Sequence, residues 1–316
     1  LHSFPTRRSS DLHIAGTTYQ NQFWYYGARI HQQGRGFLGF YAQRTYDPRT
    51  TLYVYDYVHR SFPGTGLPYQ RLVRQSDATT PVSGLVGTVS SQVSGGTGTE
   101  TRYFPFISNE TTSRYELGGT LNGSLIAQSN TTYAYADGKG NATQVSSSHT
   151  DKDPNSPFFN LTWTNTRNAT FENDAGNSCF GLLKTATVQS VVPGQSTAQR
   201  SFSNVVDGLK CRITQRVLEP STPALKVTTD LGYDTCGNVN SVQVTGANSN
   251  GTAMSPRTTT MNYGSRCQLP ESATNALNQT AAFAYRYDFG IPSQVTDPNG
   301  LDRKSTRLNS SHPYRS

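Results

Sequence analysis

The sequence predicts an all-β protein built from short antiparallel strands and hairpins, and three observations predict it. The first is a segment that recurs in worn copies. Tyr233-Asp234-Thr235-Cys236-Gly237-Asn238-Val239 is followed 30 residues later by Tyr263-Gly264-Ser265-Arg266-Cys267-Gln268-Leu269. Tyr287-Asp288-Phe289-Gly290-Ile291-Pro292 begins 24 residues further on. A looser copy, Tyr135-Ala136-Asp137-Gly138-Lys139-Gly140-Asn141, lies upstream with one extra residue. Each copy sets an aromatic before a small or acidic turn, and an apolar/polar alternation such as residues 239–244 follows. Self-similarity at this spacing marks a repeat architecture, in which each unit buries its apolar face only against the next. The second observation is composition. The 316 residues include 41 Thr but only 6 Glu and 6 Lys, a balance that suits pleated strands and starves helices. The third is punctuation: 28 Gly and 16 Pro cut the chain into short runs, and no amphipathic helix is apparent between them.

Taken in order, residues 1–12 (LHSFPTRRSSDL) and 302–312 (DRKSTRLNSSH) resemble translated sequencing-library adapters, with 313–316 as read-through. Both ends, 1–12 and 302–316, are therefore set aside as one sets aside a tag. That exclusion changes the charge argument. The whole chain carries +7, but residues 13–301 keep 21 basic against 18 acidic residues, a net of +3. A nucleic-acid or anionic-membrane partner loses its electrostatic support. No apolar run approaches the roughly 18 residues that span a bilayer. Residues 13–301 are expected to be an open-ended piece of a longer protein.

Residues 13–75 are aromatic-rich and are expected to be a junction segment, with a strand over 51–58 and a turn at Pro63-Gly64-Thr65-Gly66. Residues 76–130 are expected to be an irregular β segment or a linker, since 80–98 are rich in Gly, Ser, Thr and Val. Residues 131–301 are the repeat region, interrupted by a loop at 151–157.

The cysteines are Cys179, Cys211, Cys236 and Cys267. None forms a C-x-x-C pair and none has a neighbouring His, which argues against zinc. Cys236 and Cys267 occupy the turns of successive repeats, and Cys179 and Cys211 each precede a strand-like run. Equivalent positions in neighbouring units stack, so disulfides Cys179–Cys211 and Cys236–Cys267 are expected, together with an oxidising compartment. Four buried free thiols are the alternative.

Other motifs fail their own tests. Residues 34–39 match G-x-G-x-x-G, but an alternating run that stops at Pro48 follows them where a dinucleotide site needs a helix. A glycine-rich turn between strands is the better reading. Residues 151–155 open like a calcium loop. Ser156 and Thr162 then stand where a glycine and a bidentate carboxylate belong, so a solvated loop is favoured. His13, His31, His59 and His149 lie in unlike contexts, and Glu116, Glu172, Glu219 and Glu271 have no visible partner acid. Asn109, Asn122, Asn160 and Asn168 open Asn-x-Ser/Thr triplets of the kind chance supplies in so Asn- and Thr-rich a chain. Trp24, Tyr25 and Tyr26 read as strand packing more readily than as a sugar- or partner-binding patch.

On the Tyr233 signature and its copies, the chain resembles the Rhs or YD-repeat family. Residues 274–280 and 295–301 resemble that family's inter-repeat turns. Residues 26–29 with Gly34-Arg35-Gly36-Phe37-Leu38-Gly39-Phe40 resemble the segment that leads into the YD shell of toxin-complex B components and the plasmid-virulence B protein group. The resemblance covers about residues 24–68 and 131–301. Gly264 stands where the family has Asp, and Cys267 where it has Gly. The resemblance implies a YD-repeat β spiral, a hollow shell fragment that encloses and delivers a C-terminal toxin effector, in a secreted or surface-exposed bacterial protein. The implied partners are the remainder of the shell, its effector, other toxin-complex subunits and target-cell glycans, with no nucleic acid. No cofactor, metal or catalysis of its own is implied. The signature tyrosines are expected to stack on one another, one turn to the next. The rival readings are a surface adhesin or carbohydrate-binding repeat module and, behind it, a β-solenoid polysaccharide hydrolase.

Overall fold

A computed structural model describes residues 11–14, 17–32, 34, 36–75, 81–95, 101–248 and 251–304. The chain divides into two compact units: residues 1–171 with 186–200, and residues 172–185 with 201–316. The strands are, in order, β1 (Asp11–Ile14), β2 (Thr17–Gln20), β3 (Gln22–Tyr26), β4 (Ile30–His31), β5 (Gly36–Phe37), β6 (Ala42–Asp47), β7 (Leu52–Val58) and β8 (Pro68–Gln75). Then come β9 (Pro81–Gly95), β10 (Arg102–Tyr115), β11 (Leu125–Ala134), β12 (Gln144–Asp151), β13 (Thr162–Asp174), β14 (Cys179–Val191) and β15 (Ala198–Asp207). The last are β16 (Arg212–Leu218), β17 (Val227–Tyr233), β18 (Val239–Thr245), β19 (Arg257–Asn262), β20 (Ser272–Thr274), β21 (Thr280–Arg286), β22 (Ile291–Thr296) and β23 (Asp302–Lys304). The fold is all-β and antiparallel. Among the described residues the one helical piece is a three-residue 3-10 turn, Pro223–Leu225, and no helix is long and apolar enough to cross a membrane.

In the first unit, β3 pairs with β6, and the sheet runs on through β7, β8, β9, β10, β11 and β12 to β13. The aromatic character of residues 13–75 is used across these strands. Tyr46 faces Tyr53 in register and the rings stack at 4.6 Å. Arg44 faces Trp24, with its guanidinium 3.9 Å from the indole centroid and 5.4 Å from the Tyr53 ring. Tyr25 lies against Phe40 at 4.9 Å. Cross-strand pairs of this kind contribute roughly 0.2–1 kcal/mol each, and cation–π contacts about as much at half-exposed sites.

Residues 76–130 were expected to be an irregular β segment or a linker, and their described part is β. Their described part holds the two longest strands, β9 with 15 residues and β10 with 14. They pair from Arg102↔Gly95 to Arg114↔Ser83 through two register shifts. Small polar residues hid the strand because its bonding partner is the backbone, helped by contacts such as Ser90 Oγ to Ser108 Oγ at 2.9 Å. Pro105 pairs with Ser91 of β9 at a point where β10 has β11 beside it only from Asn109 onward, so one edge there carries no ladder.

The second unit runs from β15 to β23, each strand paired with the next. Asp302–Lys304, read from the sequence as adapter-like, form β23, with Thr296↔Asp302 and Gln294↔Lys304 in register. A ladder bonds main chain to main chain and accepts whatever side chains follow the turn. Residues 1–10 and 305–316 of the two adapter-like ends lie outside the described residues.

Few side chains are deeply buried. Among the described residues, Ala42, Ala169, Cys179, Ala186 and Val217 make up the buried apolar set. Hydrogen-bonded ladders, half-buried cross-strand pairs and well-closed turns therefore carry the stability, rather than a deep apolar core. Tyr53→Ala is expected to lower unfolding stability by about 1–3 kcal/mol. A double-mutant cycle with Tyr46→Ala, measured by urea unfolding, should return a coupling of about 0.5–1.5 kcal/mol.

Candidate functional site: the repeat turns and their staples

The signature residues build one kind of hairpin closure, used several times. In the first unit, Asp137 Oδ1 accepts the backbone N–H groups of Lys139 (2.9 Å) and Asn141 (3.3 Å), and Asn141 Nδ2 donates to Asp137 Oδ2 at 2.6 Å. In the second, Asp234 Oδ1 accepts from Cys236 and Asn238 at 2.9 and 2.8 Å, and Asn238 Nδ2 reaches back to Asp234 Oδ2. Asn275 does the same for Leu277 and Gln279, and Asp297 for Asn299 and Leu301. The fourth position of each turn has positive φ: Gly140 at 86°, Gly237 at 90°, Asn278 at 59° and Gly300 at 80°. A side-chain oxygen two and four residues ahead of its donors, with a left-handed residue between them, is a local solution to turn hydrogen bonding. Gly140 is doubly required, because a Cβ there would lie 3.3 Å from the Phe104 ring.

The other two copies close differently. Tyr263-Gly264 has no acid at the second position. Gly264 has φ 59°, and a Cβ there would collide with the Glu271 carboxylate. The cap moves one step upstream of the tyrosine, where Asn262 Oδ1 accepts from Gly264 N at 2.8 Å. At Tyr287, Asp288 is exposed and the backbone closes the turn, with Phe289 N to Arg286 O at 3.0 Å and Gly290 (φ 63°) N to Tyr287 O at 3.4 Å. Asp288 is thus not the capping residue its place in the signature suggests.

The tyrosines correct a second expectation. They do not stack on one another. Tyr135 packs on Phe106 at 4.5 Å and edge-on to Phe104 at 5.3 Å. Tyr233 lies under the Arg212 guanidinium at 4.1 Å and donates its hydroxyl to Ile213 O at 2.6 Å. Tyr287 lies under Arg266 at 4.2 Å and donates to Glu271 Oε1 at 3.0 Å. That hydrogen bond is the main cause of the raised Tyr287 phenol pKa, because it favours the protonated ring. Tyr263 turns its hydroxyl to Met261 Sδ.

The four cysteines are joined as Cys179–Cys211 and Cys236–Cys267, with Cα–Cα distances of 5.2 and 6.2 Å. They close loops of 32 and 31 residues, each worth about 3–4 kcal/mol in the chain-entropy account. Cys211 and Cys267 both have positive φ, at 49° and 55°. Each has an arginine beside it, Arg212 and Arg266, and that arginine covers the next signature tyrosine. Asn238 Nδ2 also donates to Cys267 O at 2.9 Å, tying the first turn to the second. Sequence reasoning missed the arginines; their place next to the second cysteine of each pair was the available signal.

The junction motif is a hairpin tip. Ile30 pairs with Phe37 and His31 with Gly36. Gly34, Gly36 and Gly39 have φ of 99°, 69° and 87°. Leu38 N bonds Arg29 O, Arg29 N bonds Gly39 O, and Phe37 meets Phe40 edge-on at 5.4 Å. Arg35 lies outside the described residues. Among the described residues, strands β6 to β8 follow the motif where a pyrophosphate site needs a helix. In the 151–157 loop the carboxylates serve their own chain: Asp151 accepts from Asp153 N and Ser156 Oγ, and Asp153 from Asn155 N.

No family model matches the chain, and no curated protein does. Solved structures do. The crystal structure of TcdB2-TccC3 superposes with a TM-score of 0.63 at 9% identity, over 93% of this chain and 21% of that one. The same complex without its hypervariable C-terminal region gives 0.64 at 10% identity, over 94% and 21%. The Photorhabdus luminescens Tc holotoxin pore gives 0.58 at 9% identity, over 89% and 20%. The chain spans about a fifth of the length of these neighbours and has their toxin-complex-like β fold.

Two predictions follow from the turns. Gly140→Ala should cost about 1–3 kcal/mol, from the left-handed backbone and the Phe104 contact together, read as a lower urea midpoint. The second concerns acid. Side-chain and backbone bonds from Arg49 hold Asp47 below its ordinary value, and bonds from Asn177 and Gly176 do so for Asp174. Bonds from Ser156 and Asp153 lower Asp151. At Asp234 burial opposes ionisation but is outweighed by Asn238, Cys236 and Gly237, and the net shift is again downward. Groups depressed in the fold contribute stability that is present above the unfolded carboxylate value of about 3.9 and lost as pH falls through the folded one. The urea midpoint should hold from pH 7 to about 5 and fall below about pH 4, with a shallower fall in Asp234→Asn.

Proposed function

We propose that this chain is a segment of a YD-repeat shell, in a secreted or surface-exposed bacterial protein, that encloses and delivers a C-terminal toxin effector. The observation that carries the reading is the superposition on TcdB2-TccC3 over nearly the whole chain, and the like closure of the turns at Asp137 and Asp234 supports it. Two disulfides fit an oxidising compartment. The side chains of Asp137, Asn141, Asp234 and Asn238 close turns, which suits a structural repeat. The partners in this reading are the remainder of the same shell, its effector and other toxin-complex subunits.

The uninterrupted gene provides the test. Expressed whole, the protein should yield a C-terminal segment that resists limited proteolysis while the β region is folded and is digested once urea opens it. A complete gene with no further C-terminal segment, or a segment cut equally fast in both states, would overturn the proposal.

A further inference from the structure

In the first unit, the β4–β5 hairpin and the loop after β7 border a cavity of about 520 Å3, within the roughly 300–1,000 Å3 of small-molecule sites. Arg29 and His31 line it from the hairpin, and Arg60 and Ser61 from the loop. Leu38 and Phe62 supply apolar wall. Main-chain bonds fix both sides. Arg29 N bonds Gly39 O at 3.2 Å and Leu38 N bonds Arg29 O at 2.9 Å. On the loop side, His59 N bonds Leu67 O at 2.9 Å and Gly66 N bonds His59 O at 2.8 Å. Phe62 meets Tyr103 edge-on at 5.2 Å.

The positive charges of this cavity are not answered within it. Arg60 Nη1 donates to Gly27 O at 3.2 Å, and the guanidinium lies 4.9 Å from the Tyr41 ring. A carbonyl and a ring hold that group in place and leave its charge uncompensated. Neither Arg29 nor Arg60 makes an ion pair among the described residues, and no Asp or Glu lines the cavity. His31 Nδ1 is buried and has no hydrogen-bond partner. Buried polar atoms are partnered as a rule, so this orphan beside two uncompensated guanidiniums points to a ligand that brings oxygens.

The charge and the walls narrow the occupant. A guanidinium presents forked donors that match the oxygens of a phosphate or a carboxylate. Two fixed positive charges suit a dianion better than a lone carboxylate, and a phosphomonoester carries about −1.5 to −2 at pH 7 with three acceptor oxygens. A neutral or cationic occupant would leave both guanidiniums unanswered. The phosphate fills only part of the volume, and Leu38 and Phe62 offer apolar surface to whatever it is attached to. We propose that this cavity binds a small phosphomonoester, with its phosphate on Arg29, Arg60 and His31 and its organic body against Leu38 and Phe62. Such binding does not require that the chain enclose an effector.

The full-length protein would be titrated with phenyl phosphate by calorimetry, with phosphorus NMR in parallel. Inorganic phosphate lacks the ring, benzenesulfonate lacks the second charge, and benzoate lacks both the second charge and the tetrahedral head. The expected result is saturable binding of phenyl phosphate and several-fold weaker binding of each counterpart. Arg29→Gln and Arg60→Gln should each weaken binding about tenfold, and Phe62→Ala several-fold. Arg71→Gln should leave it unchanged, since that exposed arginine sits 3.4 Å from Asp56 and does not line the cavity. Arg29 is exposed, so its variant keeps the test valid if Arg60→Gln fails to fold. Absence of saturable phenyl phosphate binding, any counterpart bound as tightly, unchanged binding by Arg29→Gln, or an equal loss in Arg71→Gln would overturn the proposal.

Discussion

The constraint on which the structure depends is the closure of hairpin turns, four of them by a side-chain oxygen two and four residues ahead of its backbone donors. With so few buried side chains, the strands cannot rely on a deep core to fix their register. The turn must set it. Asp137, Asp234, Asn275 and Asp297 each gather two N–H groups, and a left-handed residue at the fourth position lets the chain reverse. In the turns at Asp234, Asn275 and Asp297 the first and last residues also bond main chain to main chain, as Asp234 N does to Asn238 O at 2.9 Å. A one-residue slip would reverse which face every side chain occupies, so the geometry of the turn decides the surface of the sheet.

The two units supplement these closures in different ways. The first uses rings: Tyr46 on Tyr53, Arg44 over Trp24, and a cluster in which Tyr69 donates to Tyr41 Oη at 2.8 Å. Burial, followed by that hydrogen bond, pushes the Tyr69 phenol up to about 12. The second unit uses covalent staples, each with an arginine beside its second cysteine and a tyrosine beneath that arginine. Disulfides matter most where the loop they close is long and the apolar core is thin.

The strand pattern was legible because its determinants are local. Alternation in residues 239–244 reports β18, and Tyr-Asp-x-x-Gly-Asn reports a turn whose bonding is complete within five residues. The cysteine pairs were legible because Cys236 and Cys267 fall in the turns of successive copies and Cys179 and Cys211 each precede a strand-like run. What escaped reading was contact between residues far apart in the chain. Nothing local says that Arg212 covers Tyr233, or that Glu271 occupies the space beside Gly264. The length of β9 was hidden for a related reason. Its Gly, Ser and Thr residues carry little apolar signal of their own, and the strand is specified by the aromatic half of β10 that it pairs with. Ser129, His149 and Trp163 likewise meet only through register across β11, β12 and β13.

The second repeat shows why such a signature decays while the fold remains. With Gly264 in place of an acid, Asn262 takes over the cap from one step upstream of the tyrosine, and Glu271 fills the vacated space and accepts the Tyr287 hydroxyl. The hydrogen bonds are conserved in kind but change owners. Pairing of Asp302–Lys304 with β22 makes the same point from the ladder's side, since main chain recognises main chain whatever residues supply it. A fold held by turn closure and ladders constrains a few positions per hairpin and leaves the rest free. Superposition at 9–10% identity over most of the chain is the expected consequence of that freedom.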